Sequence, residues 1–439
     1  MRNPQNEIHQ VKKEQYIVLT GAILLGTVTP LYHIYLNRKL GPEGYGHFYV
    51  LMTFLSILLI PLNPLQTLVA GSVAQLKTRH FIGLRELIHS TFLRLFFFGL
   101  LMTGLFCLFQ EDLSTLFYLP DSRSLVLLGF IVPITFVLPL FIGGLHGLQW
   151  FTYASLLAIL DVGFRFGSTL FFLYYGLREM APLLSCLMGT SFTAIVAYFL
   201  LRQKFSQESA STQTLFYSWD QGWTIVSALL TFSVLSQLDI LYVKHYFPQE
   251  AGYYATASFL GKSLLLIPQP YIVVMVPKVA QLSHEKQASF YLGGYFVLST
   301  TFVCLMASLS FMILPESLIQ SLFGKDFLPI VPFLRIIGFS MTPLASLSVL
   351  IYYNIARRFL KFFPLLLLWF VLIIVVLFFG KLNPLSVLYF YTISGFMLLF
   401  CLSIQTFLSL NPREPLSGVY THFLPYMVLR YLKKCLFKK

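Results

Sequence analysis

Apolar residues in this chain fall into runs of roughly 20, and most charged residues stand in the short segments between these runs. A helix rises 1.5 Å per residue, so about 20 residues are needed to cross the ~30 Å hydrocarbon core of a bilayer. The pattern therefore predicts an all-α, polytopic membrane protein with about twelve transmembrane helices. We place these helices near residues 16–36, 47–72, 90–110, 124–145, 153–177, 181–201, 222–242, 253–276, 289–314, 329–353, 362–380 and 385–408.

The amino-acid composition also favours a membrane protein. Hydrophobic residues make up 57% of the 439 residues and charged residues 11%, which gives more apolar surface than a fold in water could bury. The net charge of +13 would suit nucleic acid only if basic and aromatic side chains shared a soluble face, and the sequence has no soluble segment for such a face. We therefore expect the lipid bilayer, and no nucleic acid, as a partner.

Basic residues are divided unequally between the two sets of alternating connections. About 19 lie in one set and about 7 in the other. Because Lys and Arg collect in cytoplasmic loops, the richer set is expected in the cytoplasm. This assignment places both termini in the cytoplasm, requires an even number of spans, and predicts a multi-pass protein of the cell (inner) membrane.

The longest polar connection lies near the middle of the chain and divides the spans into two sets of six. We expect an N-terminal six-helix lobe at residues 1–205, a cytoplasmic linker at 206–221, a C-terminal six-helix lobe at 222–408 and a basic cytoplasmic tail at 409–439. The tail mixes aromatic residues, Leu and Lys in the manner of an interfacial helix. Below, the two lobes are called the N lobe and the C lobe.

The two halves resemble each other at an offset of about 206 residues. The clearest match pairs the segment that begins at Gly46 with the segment that begins at Gly252. Aligned without a gap are also Pro64 with Pro270, Val73-Ala74-Gln75-Leu76 with Val279-Ala280-Gln281-Leu282, and Arg38 with Lys244. Since six spans separate the copies, both enter the membrane from the same side. The sequence therefore predicts a parallel internal repeat, with two lobes facing a central cavity as in an alternating-access carrier.

Several segments resemble a known family. They are NRKLGPEGYGHFYVL from Asn37, GGLHGLQWFTYASLLAILDVGFR from Gly143, SQLDILYVKHYFPQEAGYYATASFLGK from Ser236 and FGKDFLP from Phe323. Together they resemble the polysaccharide transporter, or oligosaccharide flippase, family of the multidrug/oligosaccharidyl-lipid/polysaccharide (MOP) flippase superfamily.

This resemblance implies a twelve-helix fold like that of the MATE multidrug exporters. It also implies the activity of a flippase, which moves an undecaprenyl-pyrophosphate-linked oligosaccharide (an O-antigen or exopolysaccharide repeat unit) from the cytoplasmic to the periplasmic leaflet. Polysaccharide assembly proteins are further partners that the resemblance suggests.

Charged residues inside the predicted spans are the candidate site, because a charge near the bilayer centre costs roughly 2.5–3.5 kcal/mol and needs a partner or a wet cavity. Arg94, Lys262 and Arg335 have no acidic neighbour at helical spacing. They could bind a substrate pyrophosphate, or Arg94 and Lys262 could reach the membrane surface instead. Arg38 and Lys244, which match in the repeat, are expected as a basic pair at the periplasmic rim.

The intramembrane carboxylates have two interpretations. Asp161 and Arg165 stand four residues apart and can form an ion pair on one helix face. Asp239 lies close to Lys244 in the chain and could be balanced in the same way. Alternatively, either carboxylate could bind a coupling H⁺ or Na⁺.

Motifs for other chemistry are missing from the sequence. The histidines have no HxxxH or HExxH spacing for metal, and there is no Walker A motif. We therefore expect a transporter and not an enzyme, with no catalytic residue, metal or cofactor. Two rivals stay open: a cation-coupled exporter of small molecules or drugs, and a membrane glycosyltransferase or polymerase, which would need a larger outward loop than the short connections seen here.

Overall fold

The computed structural model of the protein describes residues 4–76, 83–204, 219–281 and 286–410. Residues 206–218 of the predicted linker and 411–439 of the predicted tail lie outside the described residues. Every regular element within the described ranges is a helix. The α-helices are α1 Pro4–Leu59, α2 Asn63–Leu76, α3 Leu84–Leu108, α4 Gln110–Leu116, α5 Arg123–Gly147, α6 Phe151–Tyr174, α7 Met180–Arg202, α8 Trp219–Tyr246, α9 Ala251–Lys262, α10 Pro268–Gln281, α11 Lys286–Ile313, α12 Glu316–Phe323, α13 Val331–Ala356, α14 Phe363–Gly380 and α15 Pro384–Leu410.

Eleven helical stretches in the described ranges are long and apolar enough to cross a membrane. The first, Leu24–Ala74, has 51 residues, which is more than twice the length that one span needs. It contains a break at Gly41, whose φ of 71° is accessible to glycine without strain, and Pro42 follows with no backbone N–H to donate. The stretch is therefore two spans, and the predicted count of twelve is confirmed.

Successive spans alternate in direction, so the connections define two ends of the helix bundle. The short helices α4 and α12 both lie at one end, which we call the short-helix end. Helix α7 finishes and α8 begins at the other end, which we call the linker end.

The second span of each lobe is broken in the same place. In the N lobe, the 3-10 turn Ile60–Leu62 separates the end of α1 from α2, and in the C lobe the turn Ser263–Leu266 separates α9 from α10. Prolines stand at or beside both breaks, at Pro61 and Pro64 and at Pro268 and Pro270. Each proline removes a backbone donor from the helix interior, which explains the interruption. Helices α4 and α12 also match at the same offset, so the parallel repeat extends through the structure.

Each lobe is built around one central helix. Helix α5 packs against α2, α3 and α7, and α13 packs against α10, α11 and α15. Glycines allow the close approach: a Cβ on Gly143 would lie 2.5 Å from the carbonyl oxygen of Gln66, and one on Gly147 would lie 2.5 Å from Cβ of Val73. Small residues serve this purpose in bilayers, where apolar burial alone does not drive helices together.

Candidate functional site between the lobes

The two lobes meet most closely at Gly46 and Gly252, which are equivalent in the repeat. A Cβ on Gly46 would lie 3.0 Å from Cα of Gly252, and a Cβ on Gly252 would overlap the carbonyl of Pro42. Residues related by a two-fold axis touch each other only beside that axis. The contact therefore marks the axis that relates the lobes, near the short-helix end.

Two reciprocal contacts tie the lobes together at this end. Arg38 Nε donates to the carbonyl oxygen of Leu322 at 2.7 Å, and its Nη2 donates to that of Ser321. In the opposite direction, His245 Nδ1 lies 2.8 Å from the carbonyl oxygen of Leu116. Leu116 and Leu322 are equivalent in the repeat, and both carbonyls lie in the last turn of a short helix, where the helix dipole is negative. We call these two contacts the latches.

Further contacts continue the seam toward the middle of the bundle. Thr256 donates to Asn37 Oδ1 at 2.7 Å, and the rings of His33 and Phe259 stack with centroids 4.0 Å apart. At a deeper level Ser233 donates to the carbonyl oxygen of Ile57 at 2.9 Å. All of these contacts join a residue of the N lobe to one of the C lobe.

Helices α2 and α10, which carry the broken spans on to the linker end, behave differently. Helix α2 packs mainly against α5, and α10 packs mainly against α13 and α11, so each stays within its own lobe. The interlobe contacts are therefore concentrated in the short-helix half of the seam.

A buried polar cluster lies within the C lobe, on α8 and α9. Lys262 Nζ lies 2.9 Å from Asp239 Oδ1 and donates to Gln237 Oε1 at 2.8 Å. Tyr254 donates its hydroxyl to Asp239 Oδ2 at 3.0 Å. Asp239 is fully buried, so its charge is answered by these donors and not by water. We call these four residues the C-lobe cluster.

This cluster corrects two expectations from the sequence. Lys262 does have an acidic partner, but the partner stands on the neighbouring helix and not at helical spacing. Asp239 is consequently paired with Lys262 and not with Lys244. Lys244 is 2% exposed and forms no ion pair with a described residue, although Glu43 and Glu179 are close enough to act on it electrostatically.

A second polar cluster lies within the N lobe. Arg165 Nη2 and Asp161 Oδ2 are 2.6 Å apart, so the pairing predicted from their spacing is present. Thr193 donates to Asp161 Oδ1 at 3.3 Å. Gly189 makes room for the pair, because a Cβ there would lie 2.5 Å from Cγ of Arg165. Each lobe thus holds one acid–base pair, which is partly buried in the N lobe and fully buried in the C lobe.

The remaining cations are dispersed. Arg335 is half-exposed near the start of α13 and lies 3.7 Å from Glu316 at the start of α12. Arg94 is exposed on α3, a helix that packs against α5 and α4 of its own lobe. Arg94, Lys262 and Arg335 thus stand on three different helices, and no ion pair or hydrogen bond among the described residues joins them. Arg38 lies at the short-helix end of the seam, where His245 and not Lys244 makes the equivalent contact in the C lobe.

The chain matches the family model described as "Polysaccharide biosynthesis protein" over residues 13–283. No curated protein sequence matches it. Among solved structures, the lipid II flippase MurJ in an inward closed conformation is similar with a TM-score of 0.63 and 14% identity, over 97% of this chain and 93% of that chain. The eukaryotic MATE transporter AtDTX14 has a TM-score of 0.64 and 14% identity, over 91% of this chain and 95% of that chain.

A multidrug resistance MATE family transporter of the MOP superfamily, in an inward-facing conformation, has a TM-score of 0.63 and 12% identity, over 91% of this chain and 99% of that chain. At these identities the likeness shows the fold alone, which this chain shares with these transporters. The family match covers more than half of the chain and includes the N lobe from residue 13, the helices α8 and α9 and both Gly46 and Gly252. The chain therefore belongs to the polysaccharide biosynthesis protein family.

Proposed function

We propose that this protein is a flippase that carries a polyprenyl-pyrophosphate-linked oligosaccharide, such as an O-antigen or exopolysaccharide repeat unit, from the cytoplasmic to the periplasmic leaflet. Membership of a polysaccharide biosynthesis family supports a glycan substrate. The fold that the chain shares with a lipid II flippase supports a lipid-linked one. Twelve apolar spans agree with transport across a bilayer.

The observation that carries the proposal is the unequal seam between the lobes. The latches, the Gly46–Gly252 contact and the Thr256–Asn37 hydrogen bond seal its short-helix half, whereas α2 and α10 pack away from each other at the linker end. A carrier that works by alternating access joins its repeats at one end and separates them at the other. With the linker end in the cytoplasm, as the basic residues suggest, this state receives substrate from the cytoplasmic side.

Cations of the two lobes supply candidate contacts for the substrate diphosphate. Arg38 and Lys244 lie at the sealed end of the seam, and Lys262 could exchange Asp239 for a phosphate oxygen as the lobes move. Arg335 is also a candidate contact for the diphosphate, because its ion pair with Glu316 is long and exposed and could be exchanged for a phosphate oxygen. Arg94 has the weakest support, since α3 stands away from the C lobe.

The two acid–base pairs are the candidate coupling groups. Asp161 in the N lobe and Asp239 in the C lobe are each held by a cation and a hydroxyl group. Binding of H⁺ or Na⁺ to either carboxylate would weaken its pair and free the cation. Such a release would link an ion gradient to a change in the cluster.

The proposal is tested by transport with purified protein. The full chain is reconstituted into vesicles that carry a polyprenyl-pyrophosphate-linked oligosaccharide, and a membrane-impermeant glycosidase reports how much glycan is exposed over time. Protein-containing vesicles should expose glycan faster than protein-free vesicles, and Lys262→Gln should slow the exposure. Equal rates with and without protein would overturn the proposed function.

A cation-coupled exporter is the second candidate, and the carboxylates inside the spans, the partly buried Asp161 and the fully buried Asp239, are the observation that favours it. Such an exporter would move a small organic cation when a proton or sodium gradient is imposed on the same vesicles. Gradient-driven transport of the cation, together with an unchanged distribution of the lipid-linked glycan, would select this candidate over the flippase.

A further inference from the structure

A cleft in the N lobe is separate from the seam. It lies between α3 and α7 with α5 as its floor, and its volume is about 960 Å³. Both side helices pack against α5 and belong to the outer part of the lobe, so the cleft opens sideways into the surrounding bilayer. A volume of this order is typical of sites that enclose most of a ligand. We call it the N-lobe cleft.

The charge in the N-lobe cleft has one sign and lies at one end. Arg85 and His89 stand on the first turns of α3, and Arg202 is the last residue of α7, so all three line the cleft at the linker end. No aspartate or glutamate is among the lining residues, and neither arginine forms an ion pair with a residue in the described part of the chain. The N-terminus of α3 adds a positive dipole at the same place. This end of the cleft therefore favours an anion.

The rest of the N-lobe cleft is mainly apolar and aromatic. Phe92 is stacked between Phe96 and Phe141, with ring centroids 5.5 Å and 6.2 Å away, and Tyr198 continues the row from Phe141. From Arg85 to Phe96 the helix rises roughly 16 Å, which is about half of a ~30 Å hydrocarbon core. The cleft thus has a cationic end at the membrane surface and an apolar length that matches one leaflet.

The basic residues of the N-lobe cleft are not repeated at the equivalent positions of the C lobe. At the repeat offset, tyrosines Tyr291 and Tyr295 replace Arg85 and His89, and Leu408 replaces Arg202. The corresponding helices α11 and α15 also contact each other, whereas α3 and α7 are held apart. The basic end of the N-lobe cleft is therefore not a product of the repeat alone.

We propose that the N-lobe cleft binds an anionic phospholipid of the surrounding leaflet, with its headgroup phosphate held by Arg85 and Arg202 and an acyl chain along Phe92, Phe96 and Phe141. Basic pockets between transmembrane helices at the cytoplasmic surface are typical sites for such headgroups. Two arginines can each bind phosphate oxygens through paired N–H groups. The occupant is a lipid and not a free phosphate, because a free phosphate would leave the aromatic side chains of the cleft without a contact.

Thermal unfolding of the purified full chain tests the proposal. The protein in neutral detergent is titrated separately with cardiolipin and with phosphatidylcholine, and the midpoint of unfolding is followed. Cardiolipin should raise the midpoint and phosphatidylcholine should not. Arg85→Gln with Arg202→Gln should weaken the apparent affinity for cardiolipin by roughly tenfold or more, which corresponds to the loss of one charge-assisted hydrogen bond.

Two further variants make the result specific. Lys278→Gln with Lys361→Gln removes the same charge from exposed C-lobe positions at the linker end and should keep the full response. Ser191→Phe fills the cleft from α7 and should abolish the response, with its unfolding midpoint in detergent alone showing that it folds.

Three results would overturn the proposal: equal responses of the two charge variants, an equal response of wild type to phosphatidylcholine, or a response confined to polyprenyl diphosphate. The last result would assign the cleft to the transported substrate instead. None of these outcomes depends on flipping, so they are independent of the proposed function.

Discussion

Gly46 and Gly252 face each other across the seam so closely that a methyl group on Gly46 would lie 3.0 Å from the backbone of Gly252. The two residues are equivalent in the repeat, so one close contact places the axis between the lobes. The absence of a side chain at both positions is therefore required for the lobes to close at the short-helix end.

We expect Gly252→Ala to destabilise the sealed seam, because its methyl group would overlap the carbonyl of Pro42. Overpacking of this kind typically costs about 1–3 kcal/mol, which thermal unfolding in detergent would register. Gly104→Ala is the matched control, since Gly104 is also helical and has nothing within 4 Å of an added Cβ. Equal midpoints for the two variants would contradict the close contact.

The C-lobe cluster predicts strong coupling between Lys262 and Asp239. Removal of one partner leaves a buried charge without its counterion, so Lys262→Met or Asp239→Asn should each destabilise the protein by about 3–5 kcal/mol. The double variant should lose much less than the sum, because neither charge is then present. A double-mutant cycle of unfolding free energies measures this coupling, and strict additivity would show that the pair does not form.

The latches predict redundancy at the short-helix end. Arg38→Gln or His245→Gln alone leaves the other latch intact, so each should open the seam only slightly, and both together should open it much more. The measurement is labelling of Thr256→Cys, in a background without other cysteines, by a membrane-impermeant maleimide. Lys39→Gln is the control, because Lys39 stands beside Arg38 but its ammonium lies over the ring of Tyr35. Labelling that is equally slow in the double variant and in the control would rule out a sealing role.

Arg335 should contribute little to stability. Its side chain is 54% exposed, and its Nη2 lies 3.7 Å from Oε1 of Glu316. Exposed ion pairs are typically worth about 0–1 kcal/mol. The free energy of unfolding of Arg335→Gln should therefore lie within about 0.5 kcal/mol of that of wild type, as is usual for surface substitutions. Its rate in the flipping assay then reports substrate binding without interference from misfolding, and a lowered rate is expected if the residue contacts the diphosphate. A large loss of stability would mean that the ion pair is stronger than its geometry indicates.

The architecture could be predicted from the sequence because a helix must be long and apolar enough to cross the bilayer. Span length and the shared glycines and prolines predicted twelve helices in two lobes, and the break at Gly41 stands where a Gly-Pro step would place it. The Asp161–Arg165 ion pair could also be predicted, since residues four apart on a helix are neighbours.

Ion pairs between different helices could not be predicted from the spacing of residues along one helix. Lys262 and Asp239 are 23 positions apart and meet only because α8 and α9 pack together, and Arg335 reaches Glu316 in the same way. The preference for His245 over Lys244 at the rim depends on the rotation of α8 about its axis, in which each residue turns by about 100°. Hydropathy does not determine that rotation.

Both latches end on peptide oxygens at positions 116, 321 and 322. Any L-amino acid placed there supplies the same acceptor, so these three exposed positions can vary in sequence without loosening the closure. A substitution can therefore change the strength of these hydrogen bonds only at the side-chain partners, positions 38 and 245.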